Sequence, residues 1–326
     1  MREFPEILNR LAEAGEQGIE IPVSDPAWNA ISSARDWGFQ IGITANRAWL
    51  LPDPDALIPG WIERETTPIA WDSVRATGFL EIDSTNSEAL RRVCGGAAEG
   101  SVIFAEHQTA GRGRLSRRWF SPARAGLYFS VILRPRQPLQ NWPLLTHSAG
   151  VALVRALRQL EREKLSGRLL SIDLKWPNDV LLSGKKVAGI LLESSHIGSE
   201  SQAAVLGVGI NITSECIPDD LRQTVTALEC EAGRHMPRRN LLIWFLHHFQ
   251  DAYLIFEKGD SQSILKEWKE ASSMWNEVPI WIELADRRRK VTTCGITAEG
   301  ALMIRTSEGK RETVLAGDVR IRRSRE

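Results

Sequence analysis

Gly111-Arg112-Gly113-Arg114-Leu115-Ser116-Arg117-Arg118-Trp119 is the least ordinary stretch of the chain. Four arginines fall within seven positions, interleaved with glycine, between two apolar strand candidates, Ser101–Glu106 and Leu127–Leu133. Glycine lets a backbone approach a ligand closely, and planar guanidinium forks pair with phosphate oxygens. A solvated basic loop is the plain alternative for any such cluster. The spacing is that of neither a Walker loop nor a dinucleotide fingerprint, so a nucleotide site here is of another kind.

Three further segments carry chemistry on either side of that flap. Downstream, Lys175-Trp176-Pro177-Asn178-Asp179 is followed by Lys185-Lys186-Val187-Ala188-Gly189-Ile190. Pro177-Asn178 predicts a tight turn between the strands Ile172–Trp176 and Val180–Leu182, presenting Asp179 from a rigid scaffold. Lys185 reads as an exposed hairpin tip, whereas Lys186 directly precedes an apolar strand and is expected to face inward. Upstream, Ser84-Thr85-Asn86 precedes a helix over Ser87–Cys94, and its first reading is an N-cap. Gly207-Val208-Gly209-Ile210-Asn211 is a glycine-punctuated strand end against which a flat ring could lie.

Around these segments the chain divides into three. Residues 67–274 carry strands at Phe79–Ile82, Gly189–Leu192 and Ala203–Ile210, a long helix at Leu144–Leu160, and helices at Asn240–Gly259 and Ile264–Ser272. Without βαβ alternation, this predicts an α+β unit with a mixed, mostly antiparallel sheet. Residues 1–66 read as a helix (Phe4–Ala14), a second helix running from Ser24-Asp25-Pro26 to Trp37-Gly38, and two short strands. The cluster Pro52, Pro54 and Pro59 is expected to end that unit. Helix, helix, wing is the plan of a winged helix-turn-helix. Residues 275–326 predict strands at Val278–Leu284, Val291–Ile296, Ala301–Arg305 and Val314–Gly317, with turns at Asp286-Arg287 and Glu299-Gly300, as in a small SH3-like β-barrel.

The 326 residues contain 41 basic and 41 acidic side chains, so total charge says nothing about partners, but its distribution does. Residues 1–66 hold 5 Lys/Arg against 11 Asp/Glu, while the other two units are each net +3. Cys94, Cys216, Cys230 and Cys294 are too scattered for a metal knuckle or redox pair, and no metal site is expected. His107, His147, His247 and His248 show no evident partners. Met1–Leu11 lacks a signal-peptide core and no apolar run approaches a membrane span, so a cytoplasmic protein without membrane contact is expected.

In this order the motifs resemble those of the biotin–protein ligases: Ser-Thr-Asn, a Gln ahead of a Gly-Arg-Gly-Arg loop, Lys-Trp-Pro-Asn-Asp, Lys-x-Ala-Gly-Ile-Leu and Gly-x-Gly-Ile-Asn. The match runs from about Phe79 to Asn211, and the flanking units resemble the bifunctional form that is also a biotin-operon repressor. The resemblance implies a biotin–[acetyl-CoA-carboxylase] ligase, which forms biotinyl-5'-AMP from biotin and ATP with Mg2+. The biotin is then passed to a lysine of a biotin carboxyl carrier protein. By similarity, Ser84, Thr85 and Asn86 line the biotin pocket, joined by Gln108 and Arg112-Gly113-Arg114; Lys186 reaches the biotin carboxylate and the α-phosphate, and Gly189 is a further cofactor-binding residue. Arg114, Arg117 and Lys186 neutralise the reacting charges, Asp179 and Asn211 lie on the nucleotide side, and Trp119 stacks near adenine. Asp179 is further expected to orient or deprotonate the carrier lysine.

Two departures from the family stand out. The loop usually carries glycine where this chain has Ser116, which would stiffen the flap if that position needs a positive φ. The helix that would enter DNA, Ser24–Ala34, contains Asp25 and no Lys or Arg. Phosphate contacts need cations, so a vestigial winged helix that no longer represses is expected, and its deletion is expected to leave carrier biotinylation measurable. A lipoate or octanoate ligase would need a long apolar slot and would lack the Gly-Arg-Gly-Arg and Lys-Trp-Pro-Asn-Asp pair. A biotin-sensing DNA-binding regulator would need a basic patch on the wing or across a dimer. Relatives can pair through sheet edges, and no residue here decides that.

Overall fold

In the computed structural model, which describes residues 1–166, 169–197, 200–284, 287–315 and 318–321, the chain starts as an edge strand rather than as a helix. Arg2–Glu3 (β1) pairs with the large central sheet, and the first helix begins only at Glu6 (α1, Glu6–Ala14). Phe4 is thereby freed to pack, its ring 5.3 Å from that of Phe39 and 5.6 Å from that of Phe104. Residue 78 must be small for this, since a Cβ there would lie 1.9 Å from the Phe4 ring. Next come β2 (Ile19–Glu20), α2 (Ala27–Asp36), β3 (Ile41–Ile43) and β4 (Arg47–Leu50), the strands forming a sheet of order β2-β4-β3. Ile7, Leu8 and Leu11 recur at helical spacing on α1 and meet Ile31, Ile41 and Leu50 in a small core. The proline cluster does not end the unit. Pro59 opens a further helix, α3 (Pro59–Glu65), because a first-turn residue needs no N–H.

The central unit contains β5 (Arg75–Ile82), α4 (Thr85–Cys94), β6 (Ser101–Gln108), β7 (Gly126–Leu133) and α5 (Pro143–Lys164). It continues with β8 (Ile172–Lys175), β9 (Asp179–Leu182), β10 (Lys185–Ile197), β11 (Glu200–Asn211), α6 (Leu228–Ala232), α7 (Arg238–Glu257) and α8 (Ser261–Glu270). The sheet order is β1-β5-β6-β7-β11-β10-β9-β8; β5 and β6 are parallel and the other neighbours antiparallel. All of β7 is buried, as expected of a strand covered on both faces. Phe129 and Val131 join the core formed with α5 and α7, where the Phe129 and Phe245 rings are 5.1 Å apart. Ile132 points the other way, to Ala89 and Val93 of α4.

Five strands, β12 (Asn276–Leu284), β13 (Arg287–Ile296), β14 (Leu302–Arg305), β15 (Arg311–Val314) and β16 (Asp318–Ile321), form a separate antiparallel sheet of order β15-β14-β13-β12-β16. Asp286 of the expected turn and Gly317 of the expected last strand lie outside the described residues. Ile280, Ile282 and Leu302 belong to the same buried cluster as the central unit, and Trp176 Nε1 donates to Gly300 O at 3.0 Å.

The histidines do have partners. His107 Nδ1 lies 3.0 Å from Glu81 Oε2, His147 Nδ1 3.1 Å from Pro143 O and His248 Nε2 3.1 Å from Gln159 Oε1, while Thr67 N donates to His247 Nε2 at 3.0 Å. Burial pushes His147 down to about 4, so it packs as a neutral ring. Among the described residues no group of three or more His, Cys, Asp or Glu could hold a metal ion, and all four cysteines are free.

Candidate active site

Glycines on two neighbouring strands make the floor of a cavity on the α4 side of the sheet. Gly189 of β10 pairs with Gly209 of β11, and Gly207 pairs with Ser130 of β7. A Cβ on Gly207 would sit 2.0 Å from Asn86 Oδ1, and one on Gly209 2.5 Å from Trp119 Nε1. Bare backbone at these positions therefore lets Asn86 and the Trp119 indole lie directly on the sheet.

Ser84 is the N-cap the sequence predicts, with its Oγ accepting from Ser87 N at 3.5 Å. The same corner also faces the cavity. Thr85 donates to Gln108 Oε1 from both its backbone N (2.9 Å) and its hydroxyl (3.2 Å), and Gln108 Nε2 donates to Ser121 Oγ at 2.9 Å. Ser130 Oγ lies 2.6 Å from Asn86 Oδ1. Ser130 is absent from the sequence reading, although a small hydroxyl inside the otherwise apolar run of Gly126–Leu133 is a visible signal.

The charged half is built by the β8–β9–β10 meander. The register shifts between Lys186 and Ala188, and the Lys186 backbone is held on its outer side by Thr224 O and Thr226 N, each at 2.9 Å. Lys186 Nζ lies 2.6 Å from Asp179 Oδ1, with Lys175 Nζ 3.3 Å from Oδ2. Burial pushes the Asp179 carboxyl up, but Lys186 and Lys175 outweigh it and hold the carboxyl below its ordinary value. The inward reading of Lys186 thus agrees with its position, and Lys175 is a partner not singled out beforehand. Arg114 Nη1 donates to Asn178 Oδ1 at 3.2 Å, and Asn211 Nδ2 donates to Thr226 O at 3.1 Å.

The arginine–glycine flap folds as a narrow loop pinned at its root, with Gly113 N donating to Arg117 O at 2.8 Å and Trp119 N to Gly111 O at 2.9 Å. Its tip requires left-handed backbone at two non-glycine residues, Leu115 (φ 54°) and Ser116 (φ 58°). Position 116 thus takes a backbone conformation that favours glycine, and serine there is strained. Ser116→Gly is expected to raise stability or flap occupancy by about 1 kcal/mol, checked by melting temperature and by the tryptic cleavage rate of the flap.

Flap, floor and meander enclose a cavity of about 390 Å³. It brings together every candidate residue: Ser84, Thr85, Asn86, Gln108, Arg112, Gly113, Arg114, Arg117, Trp119, Asp179, Lys186, Gly189 and Asn211. Cys216, Leu221 and Val225 complete the wall from a segment with no motif to flag it. Trp119 Nε1 is buried and has no hydrogen-bond acceptor among the described residues, a donor available to a ligand.

A mixed sheet with a glycine floor, a half-buried Lys–Asp pair and an arginine flap defines a ligand-enclosing domain suited to an anionic ligand. The sequence profile of the Biotin/lipoate A/B protein ligase family matches residues 81–211. The bifunctional ligase/repressor BirA of Bacillus subtilis is 34% identical over 236 residues, 70% of this chain and 68% of its own length. Its Escherichia coli counterpart is 29% identical over 311 residues, 95% and 92% of the two chains. The solved biotin protein ligase from Aquifex aeolicus in complex with biotin and ATP superposes with a TM-score of 0.62 at 27% identity, covering 76% of this chain and 99% of that one. The chain belongs to the Biotin/lipoate A/B protein ligase family.

Proposed function

We propose that this protein is a biotin–protein ligase, which converts biotin and ATP to biotinyl-5'-AMP and pyrophosphate and then biotinylates a lysine of a biotin carboxyl carrier protein, that of acetyl-CoA carboxylase. The observation that carries the reading is one cavity holding the Lys186–Asp179 pair opposite the Arg112-Gly113-Arg114 flap, in a chain of this family. A biotin carboxylate oxygen attacks the α-phosphorus and pyrophosphate leaves. Two anions must meet, and Lys186, Arg114 and Arg117 supply the preorganised positive charge that this requires. In the second step the carrier lysine's amine attacks the acyl carbon and AMP leaves.

Asp179, held ionised by two lysines, is poorly suited to take the lysine's proton; its role is to aim Lys186. Ser84, Thr85, Asn86, Gln108 and Gly189 fit the biotin side, with Trp119 and Asn211 toward the nucleotide. Of the cavity carboxylates, Asp179 is engaged and Asp220 lies on the rim. The residues therefore suit a magnesium ion that arrives on the triphosphate. The closed flap excludes water from the mixed anhydride.

Biotin-dependent ATP–pyrophosphate exchange tests the reading. Exchange with biotin but not with lipoate or octanoate is expected, and exchange only with the linear acids would replace it by the lipoate-ligase alternative. We read the outer units as a winged helix over residues 1–66 and an SH3-like barrel over 275–326, flanking a catalytic unit at 67–274. Among the described residues no helix is long and apolar enough to cross a membrane, which fits action in the cytoplasm. The acidic first unit, lacking a cation on α2 before Arg35, speaks against operator binding.

A further inference from the structure

Behind the biotin half of the cavity, one carboxylate joins two elements that the ligand would touch. Glu193 of β10 does not line the cavity, yet its Oε2 accepts from Asn86 Nδ2 at 2.8 Å and its Oε1 from Arg112 Nη2 at 2.6 Å. Asn86 lies on the sheet over Gly207. Its Oδ1 is 2.6 Å from Ser130 Oγ, a hydroxyl whose one proton is shared with Thr85 Oγ1 at 2.8 Å. A carboxylate only accepts, so Glu193 dictates which end of the Asn86 amide is nitrogen. At the root of the flap, Arg112 pairs with Glu193, with a second, longer contact to Ser87 Oγ at 3.5 Å, and this anchors the flap to the pocket wall. Arg114 reaches across to Asn178.

We propose that Glu193 is a positioning residue that latches the root of the arginine–glycine flap to the wall of the biotin pocket through Arg112 and Asn86. Flap closure and pocket shape are then set by one group, which ties adenylate retention to correct seating of the ring. The inference rests on the ligase reading for its substrate but not for its mechanics.

The test uses the full-length Glu193→Gln protein and two measurements. Glutamine keeps an acceptor for Asn86 and loses the charge that holds Arg112. Without ligand, trypsin is expected to cut the flap at Arg114, Arg117 or Arg118 about tenfold faster than in wild type, the loss of one charge-assisted bond. An unchanged rate overturns the latch whatever the substrate is. In biotin-dependent exchange, the KM for biotin is expected to rise about tenfold with kcat within about twofold, the pattern of lost binding. A normal KM, or a fall in kcat alone, overturns the assignment to the biotin pocket.

Arg112→Gln breaks the same pair from its exposed side and is expected to reproduce both effects should Glu193→Gln fold poorly. The double variant is expected to be no worse than either single one, and additive losses overturn a shared mechanism. A wild-type protein inert with biotin would count against the ligase reading alone, leaving the trypsin comparison to decide the latch.

Discussion

Lys186→Ala is expected to lose biotin-dependent pyrophosphate exchange by a factor of about 10³ or more, while the protein stays folded. Removing one preorganised neutral donor from an oxyanion site typically costs about 10²–10³ in rate, and Lys186 carries a full charge. The other cations proposed for the phosphates, Arg114 and Arg117, are on the flap, whereas Lys186 stands on a strand. Its backbone is clamped to Thr224 and Thr226, its amine is 2.6 Å from Asp179, and the Trp119 ring centroid is 5.2 Å away. The fold survives because Asp179 keeps Lys175 at 3.3 Å, so the stability loss is about 1–2 kcal/mol rather than that of an unpaired buried charge. The sign of its pH dependence follows from the depressed Asp179 carboxyl. Such a group stabilises above its unfolded value, and the gain is lost as pH falls through the lower folded value. The deficit of Lys186→Ala relative to wild type is therefore fully present at neutral pH and shrinks in acid. Near-normal exchange by the folded variant would remove Lys186 from the reacting atoms. Lys186→Arg is expected to restore little, because a planar fork does not replace a compact ammonium in a site this close.

The residues of the site were legible because each motif reports a local constraint. Glycine at 207 and 209 marks bare backbone, Ser84 marks a helix start, and a lysine just ahead of an apolar strand marks an inward amine. Arrangements that depend on distant pairing were not legible. Glu193 is one acid in a strand, and nothing near it in sequence says that residues 86 and 112 converge on it. The wall segment containing Cys216 and Leu221 is irregular, with no periodicity to read. Ser116 lies between the two cases. The family resemblance implies glycine at this position, and only the backbone angle gives a reason. For the fold, strand centres were readable from apolar runs, but the start of the chain was not. Phe4 continues the helical spacing of Ile7, Leu8 and Leu11, and its tertiary packing against Phe104 overrides that pattern.

That override changes what the removal of residues 1–66 should do. Read from sequence, the cut falls between two independent units and spares the ligase. In the structure it passes through shared packing. Leu57 and Ile62 belong to the central core, and Leu80 of β5 belongs to the amino-terminal one. Ala76 N donates to Glu63 Oε1 at 2.7 Å. The fully buried Arg238 pairs with Glu106 at 2.7 Å and also donates to Asp55 O at 2.9 Å from its side chain and to Asp55 Oδ1 at 3.0 Å from its backbone. Deletion opens this charged cluster, empties the Phe4 site over Gly78 and strips β1 from β5, leaving an edge strand able to pair with other chains. Each large apolar side chain lost from full burial costs about 1.5–3 kcal/mol, so losing Leu57 and Ile62, together with the partners of Leu80 and Phe104, consumes most of a typical margin of about 5–15 kcal/mol. The expected result is an aggregated or molten product, seen as lost near-ultraviolet dichroism and lost exchange activity together. A truncation starting at Asp53 keeps Asp55, Leu57, Ile62 and Glu63 and is expected to recover soluble protein, still weakened at the β5 edge. Should the shorter protein, lacking all of residues 1–66, instead be monomeric, folded and active, the contacts across this junction would contribute little, and the first unit would be the detachable module that its sequence resembles.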